Sequence, residues 1–247
     1  MTDLQYRPRS VTEIIDAAFQ IYRQDALRYI LITAVAYAPF LVLQYVVIDP
    51  ANVSVAGGVV GLLSSIVGFF AFTIMSAVLV RLSGEAYLGR DMEVSAALAD
   101  VVPRVPSLIG GSVIRLILIF LAALALIFPA FWVMARTFAI TPLIVLEKSD
   151  VATALNRSAR LSDGRKWAII GCYALGLVIF YVLTLAFGVV AAIASGGVLY
   201  TLINAIATVA IYPVIGIMEM VLYYDARIRA EAFDVELMAN ALGNSSR

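Results

Sequence analysis

Three ionisable side chains fall inside long apolar runs of this 247-residue chain: Arg115, Arg136 and Glu219. On insertion scales each charge at a bilayer centre costs about 2.5–3.5 kcal/mol, against roughly 0.3–0.6 kcal/mol gained per Leu, Ile, Val or Phe. All three are therefore expected to face a bundle interior. Counted at about 1.5 Å per residue from the basic ends of their runs, Arg115 lies about 13 Å deep, Arg136 about 16 Å and Glu219 about 9 Å. Either arginine can snorkel toward Glu219. Two arginines against one glutamate leave a net positive interior, the chemistry of an anion site. The plainer reading is an interhelical ion pair, with the spare guanidinium bonded to carbonyls freed by Pro39, Pro142 or Pro213. Around Glu219, the residues Thr201, Asn204, Thr208, Tyr212 and Tyr223 fall within about a 100° arc of one helix. Thr33, Tyr37 and Gln44 share a face of the first apolar run. Such a stripe serves helix-to-helix hydrogen bonds or lines a wet cavity. The candidate site is Arg115, Arg136, Glu219, Tyr37, Asn204, Thr208 and Tyr212.

Other chemistries are excluded by composition. The chain has no His and one Cys, Cys172, so intrachain disulfides, Cys/His zinc sites and His-based acid–base catalysis are absent. No metal and no cofactor is expected. A catalytic base would have to be Glu219 alone, without a nucleophile motif beside it, so the chain is read as non-enzymatic. Net charge is zero, and no basic run exists to neutralise phosphates, which removes nucleic acid as a partner.

These residues must be positioned by elements suited to lipid. Mean hydropathy is +0.98 and 63% of residues are hydrophobic, above the roughly 45–50% of soluble domains. Six spans are expected: Ala26–Ile48, Gly57–Leu82, Ser107–Phe128, Ala130–Leu146, Trp167–Ala194 and Val198–Tyr224. The first is too long for a signal-peptide core and is read as retained. Pro129 is expected to end the third span and allow a tight reversal. Basic residues cluster before span one, between spans two and three, between four and five, and after six; the alternate connections carry none. By the positive-inside rule the protein is a multi-pass protein of the cytoplasmic membrane with both termini cytoplasmic. Tyr45, Phe131, Trp132 and Tyr200 are read as one aromatic rim, and Tyr29, Trp167, Tyr223 and Tyr224 as the other. Gly57, Gly61 and Ser65 form a small-residue edge expected to pack closely.

Three short amphipathic segments precede spans one, three and five, around Ile14–Phe19, Val94–Leu98 and Val151–Leu155, and are expected to lie in the membrane interface. The first carries the capping box Ser10 with Glu13; Gly164 stops the third. The fold class is thus all-α, an integral membrane bundle of six transmembrane helices with three cytoplasmic interfacial helices, each preceding a hairpin. One membrane domain covers 1–247: an interfacial helix in 1–25, a hairpin in 26–82, an interfacial helix with a hairpin in each of 83–146 and 147–224, and a cytoplasmic tail in 225–247. Three like-oriented units suggest a pseudo-threefold arrangement. Mitochondrial carriers share that plan, but their Pro-x-[Asp/Glu]-x-x-[Lys/Arg] signature is absent.

Two stretches resemble a known family. Arg136-x-x-Ala139-x-x-Pro142-Leu143-Ile144-Val145-Leu146-Glu147, followed by Ala154-Leu155-x-x-Ser158 and Leu161-x-x-Gly164, resembles the central pattern of the bacterial glycerophosphoryl diester phosphodiesterase membrane-domain family. The tail from Leu222 through Tyr223-Tyr224-Asp225-Ala226-Arg227 to Glu231 is similar to its C-terminal signature, and Arg7-Pro8-Arg9-Ser10 to its opening. In some relatives a separate soluble phosphodiesterase barrel follows, with His, Glu and Asp as its chemistry. The resemblance here implies the membrane module alone.

The functional expectation is a non-enzymatic membrane protein that binds or moves an anionic amphiphile such as a phospholipid. Its alternative is an accessory or scaffold subunit that docks a protein partner through the cytoplasmic helices and tail. An intramembrane enzyme is the weakest reading.

Overall fold

A computed structural model of the protein describes residues 7–42, 55–193 and 198–232. Every regular element among them is helical. The helices are α1 (Val11–Gln24), α2 (Ala26–Val42), α3 (Val55–Tyr87), α4 (Val94–Val101), α5 (Val105–Ala125), α6 (Ile127–Arg136), α7 (Ile140–Leu146), α8 (Val151–Leu161), α9 (Lys166–Ile193) and α10 (Val198–Glu231). Five stretches are long and apolar enough to cross a membrane: within α3, from α4 through α5, from α6 through α7, within α9 and within α10. A sixth, α2, is apolar but shorter over its described residues. This is a helical membrane bundle.

Local signals place several ends where the chemistry requires them. Ser10 caps α1, accepting from the Glu13 backbone N–H, while the Glu13 carboxylate accepts from the Ser10 N–H at 2.7 Å. Gly164 adopts φ +72 in the turn after α8, the left-handed conformation that glycine enters without steric cost. Pro129 acts opposite to expectation. α5 ends at Ala125, the reversal is made by extended Leu126, and Pro129 sits in the first turn of α6. There the missing N–H is one the helix leaves unpaired anyway.

The fourth expected span is broken. α6 stops at Arg136, residues 137–139 turn, and α7 begins at Ile140. Thr137 and Ser158 stabilise the break. The Thr137 hydroxyl donates to the Val133 carbonyl at 2.8 Å; the Ser158 hydroxyl donates to the Arg136 carbonyl at 2.9 Å and accepts from the Ala139 N–H at 3.1 Å. α7 is buried almost throughout. It passes α5 at Gly111, where an added Cβ would stand 2.9 Å from Ile140.

The core lies at the end of the bundle that carries the charges. Met75 to Leu82 of α3, Phe138 to Val145, and Ile217 to Ala226 of α10 supply most of it. The opposite ends of α3, α5 and α9 expose Leu, Ile, Val and Phe, as lipid-facing helices do. The short helices pack on the bundle: α1 on α10 and α9, α4 on α3, α8 on α7 and α5. The apolar stripe of α1, including Ile14, Ala18 and Ile21, is buried in the protein. The contacts of that stripe are with α10 and α9.

Two further expectations are corrected. Tyr29, Tyr223 and Tyr224 are buried, and Trp132 lies 6.1 Å from Trp167, centroid to centroid. The latter two therefore do not mark opposite faces of a hydrocarbon core about 30 Å thick. The bend at 137–139 swings α6 against the start of α9 and brings these rings together. Gly61 has nothing within 4 Å of its Cβ direction and Ser65 is exposed, so that edge faces outward. Tyr45, Tyr200, Gln44 and Gly57 lie outside the residues whose side chains are described.

Candidate functional site

The interior charges sort into a pair and an outlier. Arg115 on α5 and Glu219 on α10 meet at 3.5 Å, both largely buried. Tyr173 on α9 lies beside both charges without a well-formed hydrogen bond. Tyr212 is near enough to feel the same two charges. Its ring packs on Phe72 at 4.9 Å, and the Tyr37 ring also meets Phe72, at 5.7 Å. Tyr37 and Tyr212 are thus joined through α3. Farther along α10 the Thr208 hydroxyl donates to the Asn204 carbonyl at 2.9 Å, which satisfies it within its own helix.

Arg136 stands apart. It is exposed at the C-terminus of α6, where its positive charge suits the helix dipole, and Asp163 is close enough to be stabilised by it. The depth expected for it assumed one straight helix to Leu146; the break at 137–139 invalidates that count. Among the described residues the apolar interior of the bundle then sets Arg115 against Glu219, and the net positive charge that favoured an anion disappears.

The densest electrostatics lie at the charged end, in residues that the search for buried ions passed over. Asp225 is fully buried and accepts from the Arg9 backbone N–H at 2.7 Å, from Arg165 at 2.6 Å and from Arg229 at 3.3 Å. Arg229 also donates to the Arg9 carbonyl at 2.8 Å, and the Arg9 guanidinium to the Tyr87 hydroxyl at 2.7 Å. The Tyr87 and Tyr224 rings stack at 4.8 Å. Glu147 is a second hub: Arg157 pairs with it at 2.6 Å, Arg227 lies at 3.7 Å, and the Tyr223 hydroxyl donates to it at 2.6 Å. Arg157 and Arg227 both reach on to Glu231. The stretches that carry the family resemblance are thus fastenings. The opening at Arg9 closes on the tail at Asp225, and the central pattern closes on itself at Ser158 and Glu147.

Two cavities adjoin this end. An apolar groove of about 530 Å³ runs between α2 and α3, walled by Leu31, Val35, Pro39, Ala71, Ile74 and Val78. A polar cavity of about 390 Å³ lies at its charged end, lined by Gln24, Asp25, Arg28, Tyr29, Arg90 and Asp91 among others. Arg28 lines both. It pairs with Asp91 at 3.0 Å and Asp25 at 3.5 Å, and donates to the Met92 carbonyl. The hydrogen bond from Arg28 holds the Asp91 carboxyl below its ordinary range, so it stays ionised. Among the described residues no cluster of His, Cys, Asp or Glu could hold a metal.

Comparisons with protein-family models, with curated proteins and with solved structures find no match for this chain.

Proposed function

We propose that this is a non-catalytic protein of the cytoplasmic membrane that binds or moves a phospholipid, entered from the side of the bundle. The observation that carries the reading is the groove between α2 and α3: it is open along its apolar length, and it shares the wall residue Arg28 with a polar cavity. Its volume falls in the roughly 300–1,000 Å³ range of ligand pockets. Amphiphiles have that same division into apolar tail and polar head. The preference for an anionic lipid, drawn from surplus interior charge, loses its motive once Arg115 is paired with Glu219. The scaffold reading meets a charged end whose Asp225, Glu147, Arg157 and Arg227 are already committed to one another.

The same proposal includes six crossings in a pseudo-threefold order with both termini cytoplasmic. Its support is a cyclic pattern of packing. Each short helix lies on the hairpin that precedes it, with α1 on the last: α4 on α3, α8 on α7, α1 on α10. The first helix of each hairpin likewise meets the second element of the preceding one: α2 with α10, α5 with α3, α9 with α6. The resemblance to the phosphodiesterase membrane-domain family belongs to this proposal as well.

Native mass spectrometry of the protein released from mixed-phospholipid nanodiscs tests the reading. One retained phospholipid per chain is expected, and loss of all phospholipid at the lowest activation energy would overturn it. Sidedness is read from exposed Asp163→Cys in a Cys172→Ser background; labelling by an impermeant reagent added outside the cell would reverse the orientation.

A further inference from the structure

The groove and the polar cavity share one wall residue, and the charges around that residue define what can bind. Arg28 and Arg90 stand against Asp25 and Asp91, two charges of each sign. Neither arginine is idle: Arg28 pairs with both aspartates, and Arg90 with Glu85 at 2.7 Å. A headgroup carrying only negative charge would draw Arg28 off its two aspartates and leave those carboxylates in the cavity beside an added anion. One carrying only positive charge would compete with the arginines for the same carboxylates. A headgroup with a phosphate and a primary ammonium avoids both difficulties. Its phosphate exchanges for a carboxylate at arginine, and its ammonium takes the carboxylate released. The Asp91 side chain, 90% exposed, can exchange Arg28 for the ammonium while it keeps the Met92 N–H. A primary ammonium offers three N–H donors to such carboxylates, whereas a quaternary ammonium offers none.

We propose that the groove and cavity are one site for a zwitterionic glycerophospholipid with a primary ammonium headgroup, its acyl chain between α2 and α3 and its headgroup at Arg28, Arg90, Asp25 and Asp91. The proposal rests on the phospholipid-binding reading above and adds the site and the headgroup class. Leu31, Val94 and Leu98 line the groove together with Arg28. Leu31 and Val35 are 54% and 74% exposed, so an acyl chain can enter laterally without unpacking the core.

The experiment is a competition in nanodiscs containing equal amounts of phosphatidylethanolamine, phosphatidylcholine and phosphatidylglycerol, with retained lipid read by native mass spectrometry. The full chain is expected to retain phosphatidylethanolamine about tenfold over the other two, the size of one charge-assisted hydrogen bond gained or lost. Val35→Trp on the exposed lip and Ala71→Phe on the groove wall should each lower retention by about tenfold, at an unchanged melting temperature. Asp91→Asn should equalise the three lipids and leave total retention high. Retention that depends on the groove but ignores the headgroup sinks this inference and spares the broader reading. Absence of any retained phospholipid sinks both. Retention unchanged by both groove substitutions, or a second copy of the chain in place of lipid, overturns the site.

Discussion

Two carboxylates six residues apart on α10 live in opposite regimes. Asp225, at the charged end, has no exposed surface and accepts from three partners contributed by the N-terminal segment, the turn before α9 and α10 itself. Glu219, one and a half turns deeper, has one partner on α5 at 3.5 Å. Burying a carboxylate is tolerable when its hydrogen-bonding capacity is filled, and Asp225 meets that condition where Glu219 does so only in part. The contrast separates two jobs. The charged end is a clasp that holds chain segments far apart in sequence; the interior pair is a single strut with unfilled capacity around it.

The largest effect should come from breaking the clasp. Asp225→Ala strands Arg165, which has no other carboxylate partner among the described residues, and releases Arg9 and Arg229 together. Loss of one partner from a buried ion pair costs about 3–5 kcal/mol. Thermal unfolding in detergent should show a collapse that Asp225→Asn only partly restores. A melting temperature within a degree of the parent would mean that the clasp does not hold the bundle.

The strut should matter less. Glu219→Gln removes one long contact and is expected to destabilise by about 1–3 kcal/mol. Arg115→Leu with Glu219→Leu should recover most of the loss from either single change, since replacing both ends by apolar groups leaves nothing unpaired. Arg136→Leu, at an exposed helix end, should change stability by about 0.5 kcal/mol or less. Coupling of Arg136, not Arg115, to Glu219 in that double-mutant cycle would reverse the assignment of the pair.

The difference between these regions also explains what was legible in the sequence. Local signals carried well: the Ser10–Glu13 capping box forms as read, Gly164 takes its left-handed turn two residues beyond the actual C-cap, Ser162, and five of the apolar runs are helical stretches of membrane-spanning length. Glu219 and Arg115 were identifiable because a charge in an apolar run is conspicuous and demands a partner. Arg136 was misplaced because Pro142 was read only as freeing a carbonyl within one span, whereas it stands in the first turn of a new helix, α7, as Pro129 does in α6; Ser158, nineteen residues beyond Ala139, supplies the hydrogen bonds that stabilise the break. Asp225 and Glu147 were overlooked for the opposite reason. Among loop charges they look solvated, and only long-range packing, Arg9 to Asp225 or Tyr223 to Glu147, buries them. The groove was invisible for the same cause, since Arg28 and Asp91 sit on segments 63 residues apart.

The smallest effect tests the outer edge of the clasp. Glu13 is partly exposed, and its carboxyl is pulled from 4.5 to about 2 by the Arg7 guanidinium first and then by the Ser10 N–H. A carboxyl whose folded pKa is depressed contributes stability that is complete above its unfolded value and is lost as pH falls through the folded one. The first turn of α1 should therefore loosen between about pH 4.5 and 2, before the buried face of Ile14, Ala18 and Ile21 lets go. Hydrogen exchange at the Glu13 and Ile14 amides is the measurement. Those amides should lose protection through this window in the parent, and Glu13→Gln, which still accepts from Ser10 but carries no charge, should flatten that pH dependence. Asp91, Asp150 and Asp163 are also held below the usual carboxylate range by their own hydrogen bonds, so the difference between parent and variant isolates Glu13. If the variant loosens along the same curve as the parent, acid acts on the clasp elsewhere, and the cap is not where the N-terminal helix begins to detach.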